Sequence, residues 1–306
     1  AARCRGGNPH GEVGHPDRHG TDRQPHGRCP VELGRLPWAP RLVVISVATI
    51  AEYVEARELA RALVVREVRG QYKGSVLGWF WSLLNPLTTV AVFTFFFAVL
   101  GVEAPVGDPS GLKVFALYLI TGLVPWNFFA QSLSGAAGSV VAQGALISKV
   151  YFPRGIVVIA KIGAVGFTAL MEFSVAVVIL LIAGNMVLPW LPVLALLMVI
   201  QACLALGIGL VLSVANVYFR DVQYFVGIAL QVLFYSTPIA YQVRLVEAKL
   251  GSDWLFLYRL NPLVDLIEAY HHVLYDLRMP SLGWMAYVAG WAAGALVIGL
   301  WMFSRF

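Results

Sequence analysis

The sequence predicts an all-α polytopic membrane protein of six spanning helices, and three observations lead there. The 306-residue chain is 59% hydrophobic and only 13% charged, whereas soluble domains carry roughly 25% charged residues. Its mean hydropathy is +0.74. The charges are also clumped: residues 74–102, 114–148, 173–219, 222–243 and 279–304 contain none, and a spanning helix needs about 20 mostly apolar residues.

Residues 1–41 stand apart. They are rich in Arg, Gly, Pro and His and lack apolar periodicity, the composition of a disordered tail. No continuous apolar core of a secretory signal is present. The four histidines here (His10, His15, His19, His26) have no metal-ligand spacing. The first methionine is Met171, so Ala1 is read as other than a natural translation start and the tail as without a functional role. Cys4, Cys29 and Cys203 form no disulfide framework.

Residues 42–78 are expected to lead into the membrane. Between Ile50 and Lys73 no proline interrupts a run rich in Ala, Glu, Leu and Arg, although Leu59, Leu63, Val64, Val65 and Val68 make no single clean stripe. One reading is a short cytoplasmic helix. The other is an interfacial helix whose Arg66, Arg69 and Lys73 meet lipid phosphates while Tyr72, Trp79 and Trp81 lie at headgroup depth.

Residues 79–306 hold the spans, expected at 79–101, 113–132, 156–183, 190–215, 222–242 and 281–303. Asn85-Pro86 begins or bends the first. The third contains Lys161 and Glu172; an acid at a helix centre costs about 2.5–3.5 kcal/mol to insert, so Glu172 should face protein or water. Two roles stand for it: a proton path or substrate contact, or a buried group fixing span three to a neighbour. The fourth and third are separated near Gly184-Asn185 and Leu188-Pro189-Trp190. Gly290 and Gly294 in span six form a GxxxG that would allow close helix packing. Lys and Arg concentrate before span one, between spans two and three (Lys149, Arg154), at Arg220 and at Arg305. By the positive-inside rule both termini are cytoplasmic. The outer segment 243–280 balances Arg244, Lys249, Arg259 and Arg278 with Glu247, Asp253, Asp265, Glu268 and Asp276. Asp265, Glu268, His271 and His272 there have near-helical spacing, which fits an amphipathic re-entrant helix with a solvated face better than a metal site. No metal or catalytic residue is assigned.

Four blocks then resemble the membrane subunits of polysaccharide-exporting ABC transporters, the ABC-2 permeases for O-antigen, teichoic acid and lipid-linked galactan. They are Tyr72–Gly78 with Trp81 and Asn85-Pro86-Leu87; Lys149-Val150-Tyr151-Phe152-Pro153-Arg154; Tyr218-Phe219-Arg220-Asp221-Val222; and Thr237-Pro238-Ile239-Ala240-Tyr241 followed by Asn261-Pro262-Leu263. The order matches the family, and each block falls on the side that charge counting gives it. Gly155, where the family pattern has an acid, and His271, where it often has an arginine, depart from it. The resemblance covers about Ile50 to the C-terminus.

It implies a permease of the bacterial plasma membrane that exports a lipid-linked polysaccharide, as a homodimer among membrane lipids. No GxxxxGK[ST] phosphate loop occurs in the chain, so ATP and Mg would be bound by a separate ABC ATPase, and this chain needs no cofactor and no nucleic acid. Lys149, Tyr151, Phe152, Pro153, Arg154, Tyr218, Phe219, Arg220 and Asp221 match the family's coupling segments, with the aromatics as anchors for the ATPase; alternatively the charges only set topology. Phe93, Phe97, Tyr224 and Tyr235 are channel candidates, since aromatic faces stack on sugars and buried hydroxyls need partners; packing against neighbouring helices accounts for the same residues. Pro238 and Tyr241 are either an outer gate or a helix stop. Other readings are an ABC-2 exporter of a small lipid or drug, and a membrane-embedded glycosyl- or acyltransferase, whose acids could come only from the Asp265–His272 cluster.

Overall fold

In the computed structural model the chain divides into two units, Ala1–Leu42 and Val43–Phe306. The structure describes residues 56–75, 78, 80–101, 105–144, 152–246, 256 and 258–305. The N-terminal tail, Lys149, Tyr151 and Trp79 lie outside the described residues, as does the side chain of Tyr72.

The elements are α1 (Arg57–Tyr72), α2 (Phe80–Val99), α3 (Phe115–Ala142), α4 (Gly155–Ile182), a 3₁₀ turn (Leu188–Trp190), α5 (Leu191–Tyr218), α6 (Val222–Ser236), α7 (Pro262–His271), a π-helical turn (His272–Asp276) and α8 (Leu282–Arg305). No strand occurs among the described residues. Among the described residues three helices are long and apolar enough to cross a membrane: Gly155–Ile182, Leu188–Tyr218 and Leu282–Arg305, while Pro86–Val99 and Val222–Ser236 are shorter apolar helices.

Boundaries follow local chemistry. Gly101 at φ 67° ends the turn after α2, a conformation open to glycine and costly for other residues. Gly184 at φ 87° does the same after α4. α3 extends ten residues past the expected boundary of span two, to Ala142. α6 stops at Ser236, short of the expected 242, because Pro238 disfavours helix in the residue before it. Pro86 lies inside α2 and therefore interrupts its hydrogen-bond ladder rather than starting the helix.

The core is centred on α5, which packs against α8, α3 and α4. Glycines set the spacing, at positions other than the expected pair. A Cβ on Gly207 would lie 2.3 Å from the Ala295 backbone carbon, and one on Gly299 would lie 2.5 Å from the Gly207 carbonyl oxygen. The α5 and α8 backbones thus touch, with both chains running the same way, since Leu210 is in turn next to Gly299. Gly290 and Gly294, by contrast, face open space, with nothing within 4 Å of an added Cβ. The GxxxG motif does not form the close helix contact.

The connections sort into two ends. Arg66 reaches Gln143, Phe152 packs on α1, and Gln223 lies beside Gly138, so α1, the α3–α4 connection and the α5–α6 turn share one end. At the other, Asn185 donates to the Leu274 carbonyl (2.8 Å) and the Tyr275 hydroxyl to the Pro105 carbonyl (2.7 Å).

Candidate functional site

Each end carries one group of the residues singled out by sequence. At the first, α1 has the single apolar stripe that its sequence obscured. Leu59, Ala60, Leu63 and Val64 turn to α4 and meet Phe152, Ile156 and Ala160, at the i, i+1, i+4, i+5 spacing of one helix face. Val64 approaches to 3.1 Å of where a Cβ on Gly163 would stand. The stripe is therefore covered by protein, while Arg66, Arg69 and Lys73 remain exposed.

Lys161 is resolved by the same contact. Its aliphatic stem lies over Gly135 and its Nζ donates to Glu67 Oε1 at 2.5 Å, with the two side chains about a quarter exposed (24% and 26%). α4 has 28 residues, about 42 Å at 1.5 Å per residue, longer than the roughly 30 Å hydrocarbon layer. The lysine accordingly belongs to the protruding end of the helix, paired with α1.

Beside this contact stand the coupling candidates. Phe152 and Pro153 are half-buried and Arg154 is exposed; Phe152 is already engaged by α1. Tyr218 and Phe219 are 60% and 72% exposed, and Arg220 and Asp221 are exposed with them. This end thus offers aromatic and charged side chains on a short turn between two long helices.

Along the bundle, Phe97 stacks on Phe115 (4.4 Å between centroids), Phe93 meets Phe234 (6.4 Å), and Phe234 meets Trp126 (5.6 Å). Phe93 and Phe97 are thereby joined to α3 and α6 by aromatic packing. Tyr224 and Tyr235 are exposed on α6 (78% and 68%), and Trp81 is exposed at the start of α2. Glu172 is buried in α4 at 3% exposure.

The far end is a knot of polar groups that sequence reasoning mostly missed. His271 stacks flat on Tyr118 (4.0 Å, 5°). Its Nε2 lies 3.2 Å from the Pro238 carbonyl, which only accepts, so Nε2 carries the proton. Nδ1 lies 2.9 Å from the Thr121 oxygen, whose hydroxyl donates to the Tyr118 carbonyl at 2.7 Å. Gly122 makes room: a Cβ there would lie 2.9 Å from His271 Cε1 and 3.0 Å from the Ile239 carbonyl. The Tyr118 hydroxyl donates to the Tyr241 carbonyl (3.1 Å), and the Tyr241 hydroxyl to that of Tyr235 (3.1 Å). Pro238 and Tyr241 are thus locked to α3 through the outer segment. One level deeper, fully buried Gln201 of α5 donates to the Pro125 carbonyl (2.6 Å) and accepts from the Tyr270 hydroxyl (2.6 Å).

α7 differs from the expected helix with a solvated face. Asp265 and His271 are buried (2% and 5% exposed). Asp265 is held by Arg259 at 3.0 Å, and Glu268 by the same guanidinium at 3.4 Å. Burial raises the Asp265 carboxyl to about 6 despite Arg259. It also lowers His271 to about 3 and, with Arg278 beside it, His272 to about 4. Asp265 and Glu268 share Arg259 in an ion network, and Glu268, His271 and His272 line a small pocket of about 60 Å³ with Asp276 and Arg278.

A model of the ABC-2 type transporter family matches residues 58–275. The O-antigen export system permease protein RfbA of Klebsiella pneumoniae is 31% identical over 212 residues, covering 69% of this chain and 77% of that protein. Its namesake from Myxococcus xanthus is 27% identical over 263 residues, covering 82% and 95%. The polysialic acid transport protein KpsM of Escherichia coli is 26% identical over 255 residues, covering 78% and 90%.

Proposed function

The chain belongs to the ABC-2 type transporter family, and on that premise we propose that it is the membrane-spanning permease of an ATP-driven exporter of a lipid-linked polysaccharide. The observation that carries this reading is the run of relatives named for O-antigen export and polysialic acid transport, matched along 77–95% of their length. α2, α3 and α6 run between the same two ends as the three long apolar helices, which supports six spans. The end bearing α1, Phe152–Arg154 and Tyr218–Asp221 is the cytoplasmic one, as the basic residues there require.

On this reading a separate ABC ATPase binds ATP and Mg and grips the cytoplasmic end. Phe219 and Tyr218 offer apolar anchors to a groove, with Asp221 fixing orientation. Phe152 transmits rather than anchors, because it already packs on α1. The permease works as a homodimer in the bacterial plasma membrane, with the polymer passing along α2 and α6 past exposed Tyr224 and Tyr235. Phe93 and Phe97 hold those helices to α3, and Pro238 with Tyr241 closes the outer end.

Co-expression with the cognate ATPase tests the assembly. The wild-type chain should co-purify with the ATPase, and Phe219→Asp should weaken that association at least tenfold, as expected when an anchor worth about 2 kcal/mol is lost. Unaltered association in the variant would reject Phe219 as an anchor.

A further inference from the structure

Between α6 and α8 an open groove of about 840 Å³ runs over α5. Ala229 and Leu233 form one wall, Gly290, Gly294 and Ile298 the other, and Ile208 part of the floor. Two of its polar side chains are bonded to nearby backbone. The Asn261 side chain accepts from the Leu263 amide (3.1 Å), and the Tyr287 hydroxyl donates to the Leu260 carbonyl (2.8 Å). The Trp291 indole is the other polar side chain in a lining that is otherwise apolar. A spanning helix about 10 Å across and 30 Å long would need roughly twice this volume or more, whereas the groove falls within the roughly 300–1,000 Å³ of ordinary ligand sites.

The ends differ in charge. Phe225 and Ile298 line the groove; five residues before the one is Arg220 and seven beyond the other is Arg305, both exposed. At 1.5 Å per residue that places two cations about one to two helical turns from the hydrocarbon end of the groove. Toward the other end stand the carboxylates of Asp265 and Glu268 around Arg259. With Asp221 beside Arg220 and Arg259 between the two carboxylates, the field still favours an anionic head at the Arg220–Arg305 end.

We propose that the groove holds the acyl chains of an anionic phospholipid, its headgroup at Arg220 and Arg305. Hydrocarbon fills an apolar cleft that would otherwise forgo its dispersion contacts, and each basic residue near an anionic headgroup adds attraction. This site requires that α5, α6 and α8 lie in a bilayer and does not rest on which substrate is exported.

Gly290 and Gly294 give a clean test, since an added Cβ at either meets nothing within 4 Å. Full-length protein is reconstituted in nanodiscs of equal phosphatidylglycerol and phosphatidylcholine, released into mild detergent, and its retained lipid counted by native mass spectrometry. Wild type should retain phosphatidylglycerol in preference. Gly290→Leu with Gly294→Leu should lose most of the retained lipid, and Ala229→Leu, filling the groove from the opposite wall, should do the same, which separates filling from misfolding. Arg220→Gln and Arg305→Gln should keep bound lipid but each reduce the preference roughly fivefold. Equal retention in wild type and both filled variants would overturn the proposal, as would equal retention of the two lipids by wild type. Unchanged lipid with a dimer-to-monomer shift in the glycine variants would overturn it too, by assigning the groove to a second copy of the chain.

Discussion

His271 shows how one side chain can organise an outer loop. It joins α3 to the chain after α6 through Thr121 and the Pro238 carbonyl. Its pKa is lowered by burial to about 3, so its contribution to stability is complete above the unfolded value of about 6.5 and is lost as pH falls toward 3. The melting temperature of the purified protein should therefore decline with acidification from about pH 6.5. His271→Gln, which keeps a donor and an acceptor but not the titrating ring, should flatten that slope and cost about 1–3 kcal/mol at neutral pH. Lys161 is the corresponding residue at the opposite end. Lys161→Gln should cost roughly 1–2 kcal/mol, below the 3–5 kcal/mol of a fully buried pair, because a quarter of each partner is exposed. The double variant with Glu67→Gln should cost less than the sum, measurable by a double-mutant cycle. Neither residue's partner was legible in the sequence. Lys161 and Glu67 are far apart along the chain, and nothing local marks a histidine that will be stacked and buried.

At the scale of elements, long apolar runs were legible because hydrophobic length is a local property, and the described helices begin within a few residues of the expected spans. Their ends were less so. α3 continues to Ala142 because Phe128, Leu133 and Ala137 pack on neighbours, a tertiary effect, and α6 ends early at the Pro238 boundary. The α1 stripe was obscured because its apolar face includes Ala60 and ends at Glu67, whose partner is Lys161. Helix packing was misplaced by motif: Gly290 and Gly294 look like a contact, yet Gly207 and Gly299 make it. Gly207→Ala should accordingly force α5 from α8 and lower the yield of folded protein and its melting temperature by several degrees, whereas Gly290→Ala should leave both unchanged. A wild-type melt for Gly207→Ala would contradict the direct backbone contact.

For the whole molecule, two differently built ends suit a machine that receives force at one and releases cargo at the other. The end bearing α1 presents exposed aromatics beside charges on the turn between α5 and α6. The opposite end is tied down by His271, Tyr118 and Gln201, so that a movement of α3 reaches Tyr241 through the Tyr118 hydroxyl and Pro238 through His271. Aromatics beside charge marked Phe152–Arg154 and Tyr218–Asp221 as coupling candidates in the sequence, and the structure shows Tyr218–Asp221 exposed. The outer knot was not so marked, because its members come from α3, α5, α7 and the residues after α6.

The most direct test of the central claim is surface polysaccharide, measured in cells lacking this chain and complemented with it. Wild type should restore surface polymer, and Phe219→Asp, inserted normally in the membrane, should leave the polymer inside the cell. Surface polymer unchanged by deletion, or restored in full by Phe219→Asp, would contradict the account.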